Sequence, residues 1–161
     1  MSRNVVGKVT LKVSSLNEMT EFYSDVIGLE VDRKEDGKAW LSPKNDDPLL
    51  VLNERQDAPP RSRTEAGLYH LAIRVPDRGD LAHSLARIRA EGKSLTGASD
   101  HLVSEALYLS DPEGNGIEVY HDRPKGEWDH TQDGSVVMDT LPLDLNDILE
   151  EKGDETHPKM P

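Results

Sequence analysis

An internal repeat constrains this chain more than any other feature. The segment Gly7-Lys8-Val9-Thr10-Leu11-Lys12-Val13 aligns with Tyr69-His70-Leu71-Ala72-Ile73-Arg74-Val75 at an offset of 62 residues, and self-similarity at a fixed spacing means one supersecondary unit used again. Both segments alternate apolar and other side chains, the period of a strand with one face on a core. A helical stripe follows each. In the first unit it is Leu16, Met19, Phe22, Tyr23, Val26 and Ile27, ended by Gly28; in the second it is Leu81, Leu85 and Ile88, ended by Gly92. Ser14 or Ser15 caps the first helix, and Asp77 or Asp80 the second. Three short strands then complete each unit, over 29–33, 38–41 and 49–53 and over 94–99, 106–109 and 116–121. The Gly-rich run 111–116 joins two strands and opens no helix, so it reads as a turn and not as a phosphate cradle.

The pattern βαβββ, twice, predicts an α+β fold in which each sheet buries one face against its own helix. The modules span 4–54 and 68–121 within a paired unit of 1–124, joined by a linker over 55–67 that contains Pro59 and Pro60. The expected product is a curved mixed sheet with the helices outside. The remainder, 125–161, is an acidic tail with a short helix over 145–151 that packs on the same domain. Asp144 is its N-cap, and Ile148 and Leu149 are its docking patch.

Alternation also sorts side chains by face. Val9, Leu11, Val13, Leu71, Ile73, Val75, Leu107, Leu109, Ile117 and Val119 share the helix-facing parity. The other face collects Lys8, Lys12, His70, Arg74, Tyr108, Glu118 and Tyr120, with two of the chain's four tyrosines. If the sheets curve together, that face is a polar cup. His83, His121, His130 and His157 read as surface histidines.

Charge narrows the choice of function. The 161 residues, about one domain, hold 19 Lys+Arg against 31 Asp+Glu, a net charge of −12. Nucleic acids and anionic membranes both select basic faces, so both are excluded as partners. With no cysteine, disulfides, thiolate metal sites and Cys nucleophiles are excluded too. No apolar run approaches the ~20 residues of a membrane span, and the first residues lack a signal-peptide core, so a cytoplasmic protein is expected. From Asp122 onward eleven acids face four bases, the mark of a solvated tail and also of proteins kept soluble at high salt.

The residues above resemble the vicinal oxygen chelate superfamily of glyoxalase I, bleomycin-resistance proteins and extradiol ring-cleaving dioxygenases. The resemblance rests on VTLKV over 9–13, FYSDVIG over 22–28, YHLAIRV over 69–75 and, above all, SDHLVSEALYLSDPEGNGIEVY over 99–120. The last run is similar to catechol 2,3-dioxygenase-type sequences, and the whole is most like the N-terminal half of such an enzyme. What the resemblance implies is a divalent metal, Fe(II) or Mn(II), chelating two adjacent oxygens of a catechol-like aromatic substrate. It makes His70 and Glu118 metal ligands, Tyr108 the group that orients the phenolic oxygen, and His101 a proton relay. Arg74, Tyr120 and Lys8 become substrate-binding candidates, and a homodimer is the implied assembly.

The chain also departs from the family pattern. Lys8 stands where the first module should supply the other metal-binding His, and Leu50 is aligned with the carboxylate position of the glyoxalase pattern. An ammonium repels a dication, so Lys8 is expected to pair with Glu118 in the metal's place, or His101 to swing in as a third ligand. The leading expectation is a ring-cleaving dioxygenase-like domain with an incomplete metal site. The alternative is a metal-free small-molecule-binding or structural module, and a glyoxalase-like lyase is third. The chain is expected to be either half of a longer enzyme or a protein reduced to that half.

Overall fold

The structure, a computed structural model, describes residues 7–44, 47–57, 67–152 and 160. Most of the expected linker and His157 lie outside these residues. In the first module, strand β1 (Val9–Val13) leads into helix α1 (Leu16–Glu21), which continues as one π-helical segment, Phe22–Ile27. Strands β2 (Glu30–Glu35), β3 (Lys38–Ser42) and β4 (Leu50–Glu54) follow. The second module repeats the order as β5 (His70–Arg74), α2 (Arg78–Ala90), β6 (Gly97–Asp100), β7 (Ser104–Ser110) and β8 (Gly116–Asp122). Beyond it come a 3-10 turn at Lys125–Glu127, strand β9 (Leu141–Pro142) and helix α3 (Leu145–Glu150).

The two sheets share one topology. In the first the order is β1-β4-β3-β2, and in the second β5-β8-β7-β6, with β9 added at the β6 edge. In each module the first strand runs parallel to the last, while the other pairs are antiparallel. The sixth strand begins later than the sequence suggests, at Gly97 rather than 94. The chain leaves α2 through Gly92, in the left-handed region at φ 64°, and first reaches β7 where Thr96 N–H donates to the Tyr108 carbonyl at 2.8 Å.

Parallel register also corrects an alignment. His70 pairs with Gly116 and Ala72 with Glu118, whereas Val9 pairs with Leu50 and Thr10 with Val51. The module-one counterpart of Glu118 is therefore Val51, not Leu50. Leu50 points the other way and is fully buried in the core. A slip of one residue in a strand moves a side chain to the opposite face.

The alternating apolar residues of both sheets merge into one core. Leu11, Val13, Leu41, Leu50 and Leu52 from the first module join Ile73, Leu107, Leu109, Ile117 and Val119 from the second, with Met19, Tyr23, Leu85 and Ile88 from the helices. Ile148 of the tail helix and Met160 belong to the same cluster.

Polar clasps then hold the modules together. The buried Tyr23 hydroxyl donates to Asp111 Oδ2 at 3.0 Å, and Asp111 Oδ1 accepts from the backbone of Glu113 and Asn115. Burial, reinforced by Asp111, pushes the Tyr23 phenol far up, so it remains a donor. Glu113 in turn accepts from Ser14 N at 2.6 Å and Ser14 Oγ at 2.8 Å. The Gly-rich turn is thus a bolt between modules.

A second clasp closes the first helix. Gly28 sits at φ 95°, and its N–H and that of Leu29 both donate to the Tyr23 carbonyl. Arg87 of α2 lies against it and donates to the Ile27 carbonyl at 2.9 Å. A Cβ on Gly28 would fall 2.4 Å from Arg87 Nη1. A Gly28→Ala variant should therefore lose about 2 kcal/mol or more of stability, from left-handed strain plus displacement of Arg87. Urea unfolding with an unchanged slope is the check.

Candidate functional site

The open face of the second sheet brings together the polar residues that alternation places there. Tyr108 and Glu118 are direct cross-strand partners on β7 and β8, and His70 opens β5 beside them. The strands meet closely at Gly116, where any Cβ would fall 2.5 Å from the Tyr69 carbonyl oxygen. His70 Nε2 donates to Glu118 Oε2 at 2.9 Å, and Tyr108 Oη lies 2.9 Å from Glu118 Oε1. His70 remains 31% exposed and Glu118 14%, so the pair lies at the floor of an open cup.

His101 joins from the β6–β7 hairpin. Its N–H donates to the Ser104 carbonyl, and the next residue, Leu102, sits at φ 68°. Asp100 Oδ1 holds Leu102 N at 2.8 Å, while Arg123 donates to Asp100 Oδ2 at 2.8 Å and to the Leu102 carbonyl at 3.1 Å. A leucine in the left-handed region is a strained state that surrounding bonds must impose. The hairpin presents the imidazole to the sheet, with Nε2 3.0 Å from Tyr108 Oη and Nδ1 2.9 Å from the Asp139 carbonyl oxygen.

The result is a continuous chain of contacts at hydrogen-bonding distance, His70–Glu118–Tyr108–His101. The Tyr108 hydroxyl has one proton and two acceptors in reach, Glu118 Oε1 and His101 Nε2. Burial first, then the hydrogen bond to Glu118, pushes its phenol up to about 12, so it holds its proton at neutral pH. Such a hydroxyl can pass a proton along only by taking another.

A cavity of about 450 Å³ opens over this chain, lined by Tyr69, His70, His101, Tyr108 and Thr140 among others. That volume suits a ligand of one or two rings. Tyr69, which the sequence reading passed over, is 85% exposed at its mouth, with its ring 5.0 Å from that of His70. Its position directly before His70 was the available signal.

The remaining candidates lie elsewhere. Arg74 reaches Asp122 at 3.5 Å and is mostly exposed. Tyr120 is half-buried, its phenol raised by burial, and it does not line the cavity. Lys8 is exposed just ahead of β1. The expected Lys8–Glu118 pair is not formed; the partners of Glu118 are His70 and Tyr108. Nor does His101 swing toward Glu118, since Tyr108 stands between them. A facial iron or manganese site takes two imidazoles and a carboxylate. His70 and Glu118 supply one of each, and no third His, Asp or Glu joins them among the described residues. These residues alone do not complete such a site.

A second cluster supports the first from below. Glu105 is only 3% exposed and shares its parity with Leu107 and Leu109. Its carboxylate accepts from Arg78 at 2.8 Å, from His121 at 2.7 Å and from Arg123 at 3.1 Å. His121, expected at the surface, is thus buried. Alternation already placed it with Ile117 and Val119, and an acid on the facing strand compensates it. Burial alone would raise the Glu105 carboxyl. Its hydrogen bonds to His121 and Arg78 and the two guanidinium charges outweigh that and bring it to about 2. Arg78 also reaches Asp147 at 2.5 Å and Glu151 at 3.1 Å, which ties the tail helix to the same carboxylate.

The family model described as the Glyoxalase/Bleomycin resistance protein/Dioxygenase superfamily matches residues 5–119. Over 159 residues, 97% of this chain, the sequence is 45% identical to a catechol-2,3-dioxygenase of Bacillus subtilis (strain 168), and it spans 55% of that protein's length. A biphenyl-2,3-diol 1,2-dioxygenase 3 of Rhodococcus globerulus is 27% identical over 86% of this chain and 75% of its own. Among solved structures, a glyoxalase/dioxygenase from Nostoc punctiforme superposes with a TM-score of 0.63 at 20% identity, covering 74% of this chain and 92% of that one. That likeness carries the fold.

The depressed Glu105 carboxyl makes a pH-dependent prediction. A group lowered from its ordinary value of 4.5 to about 2 stabilises the fold above pH 4.5 and loses that contribution as pH falls toward 2. Glu105→Gln should cost roughly 3 kcal/mol at neutral pH, because it removes the buried carboxylate that Arg78, His121 and Arg123 share. The gap between the variant and the parent should narrow between pH 4.5 and 2 in thermal unfolding. An unchanged gap over that window would count against the assignment.

Proposed function

We propose, for a chain that belongs to the glyoxalase/bleomycin resistance protein/dioxygenase superfamily, that the second-module cavity binds an aromatic 1,2-diol for extradiol-type ring cleavage. The observation that carries this reading is the row His70–Glu118–Tyr108–His101, each within hydrogen-bonding distance of the next, under a cavity of one- to two-ring size. Two relatives named for catechol and biphenyl-2,3-diol cleavage support the substrate class. Because the chain spans about half of the catechol relative, the complete reaction is proposed for an assembly that includes more than the described residues.

In this reading a diol hydroxyl settles against Tyr108 Oη. Ring cleavage requires the diol to lose its protons. As Tyr108 accepts one from the substrate oxygen, it releases its own to His101 Nε2. Tyr108 ends as it began, and His101 ends as the imidazolium. His70 keeps Glu118 oriented and compensates part of its charge. Glu118 fixes the phenol from the other side. Iron or manganese, when bound, would supply chelation of the two diol oxygens and activation of dioxygen; His70 and Glu118 are the donors this chain offers, with the third to come from elsewhere.

One observation favours a second reading, a metal-free binding module. Lys8 occupies the module-one position that corresponds to His70, so the first sheet adds a cation and no imidazole. Anaerobic calorimetric titration with catechol and with 2,3-dihydroxybiphenyl separates the two. The proposal expects binding of a diol, weakened about tenfold in Tyr108→Phe by loss of one hydrogen bond to the ligand. In the assembly that supplies the third donor, adding Fe(II) and then air should give a yellow ring-opened product. Binding without ring opening selects the binding module, and no binding of either diol sinks both readings.

A further inference from the structure

We propose that the tail segment 139–142 is a positioning element of the site, fixing which nitrogen of His101 carries the proton. The Asp139 main-chain carbonyl can only accept, and it lies 2.9 Å from His101 Nδ1. That contact places the hydrogen of a neutral His101 on Nδ1. The other nitrogen, Nε2, is then the bare one, and it faces Tyr108 Oη at 3.0 Å. With the opposite tautomer, Nε2–H would point at Tyr108 and the ring could take no proton from it. The hydrogen bond made by one ring nitrogen decides the role of the other.

The segment is held from both ends. Leu141 and Pro142 pair with Asp100 and Ser99 on β6, directly before His101. Asp144 then caps α3 by accepting from Asn146 and Asp147, and the fully buried Ile148 seats that helix in the core. Arg78 adds its bonds to Asp147 and Glu151. Between these anchors the chain passes the cavity wall, where Thr140 lines the space and its hydroxyl lies 3.4 Å from His101 Nδ1.

Little stability comes from this passage itself. Its one large apolar residue, Leu141, is 41% exposed, and β9 is only two residues long. What the segment does supply is a carbonyl at the back of the imidazole. The hairpin, strained at Leu102 and held by Arg123, supplies the front. The tail thus sets the direction of transfer, from Tyr108 to His101.

The consequence for diol chemistry rests on the function proposed above, whereas the tautomer is a property of the chain alone. The test uses the full chain labelled with 15N, reading ring-nitrogen shifts and two-bond couplings at a pH where the imidazoles are neutral, with His101→Gln assigning the signal. The parent should show His101 in the Nδ1–H form. Leu141→Pro, at an exposed position outside the core, should turn the Nδ1–H form from the major to the minor one, and so should Ile148→Asp where it folds. Tyr108→Phe should keep Nδ1–H, because the tail and not the phenol sets it. An Nε2–H parent, retention of Nδ1–H in Leu141→Pro, or its loss in Tyr108→Phe overturns the proposal. A parent that shows Nδ1–H yet binds no diol would overturn the catalytic reading and leave the tail's role standing.

Discussion

A carboxylate buried among the apolar residues of a sheet must have its oxygens answered, and the second module is organised around that demand. Glu105 takes Arg78 from the start of α2, His121 from β8 and Arg123 from just beyond it. Each of these then does something else. Arg123 holds the Asp100–Leu102 turn that presents His101. Arg78 holds the tail helix through Asp147 and Glu151. Removing one member of such a network leaves uncompensated charge in low dielectric, which costs far more than an exposed pair is worth. Among the described residues no buried polar side-chain atom lacks a partner. The site's precision therefore comes from the helix-facing side of the sheet, opposite the side on which the chemistry is proposed.

The two modules carry one backbone plan and two different electrostatic faces. At matching positions the first offers Lys8, Thr10 and Val51, the second His70, Ala72 and Glu118. A lysine cannot join an imidazole and a carboxylate around a dication, and a valine offers no charge to balance one. The first module contributes instead by binding the second. Ser14 and Tyr23 fasten the 111–116 turn, which fixes where β7 ends and β8 begins. The cross-strand pairing of Tyr108 with Glu118 depends on that register.

Much of this was legible in the residues alone. The repeat at 62 and strict alternation gave two βαβββ units and put His70, Tyr108 and Glu118 on one face, because side-chain direction in a strand has a period of two. His101 was legible only through resemblance, since a hairpin residue has no face to be assigned to. Glu105 and His121 were visible in principle. Both fall on the apolar parity, and an acid and a histidine there announce a buried pair; reading His121 as surface ignored its parity. Leu50 for Val51 is an error of one residue, which strand geometry turns into the wrong face. The role of 139–142 had no sequence signature, because a main-chain carbonyl is common to every residue and a strand of two residues has no period.

The acidity of the chain bears on how a diol would be handled. A net charge of −12 repels anions at long range and leaves a neutral molecule unaffected. In the proposed reaction an aromatic diol would reach the cavity with both protons in place, so deprotonation would fall to the residues inside. Tyr108, at about 12, cannot wait there as a phenolate. Glu118 is engaged by His70 and by the phenol itself. In the proposed transfer the group left to keep a proton is His101, whose free nitrogen faces the phenol because the Asp139 carbonyl occupies the other. The same tail that adds negative charge to the molecular surface also supplies the carbonyl that leaves Nε2 facing the phenol in the proposed transfer.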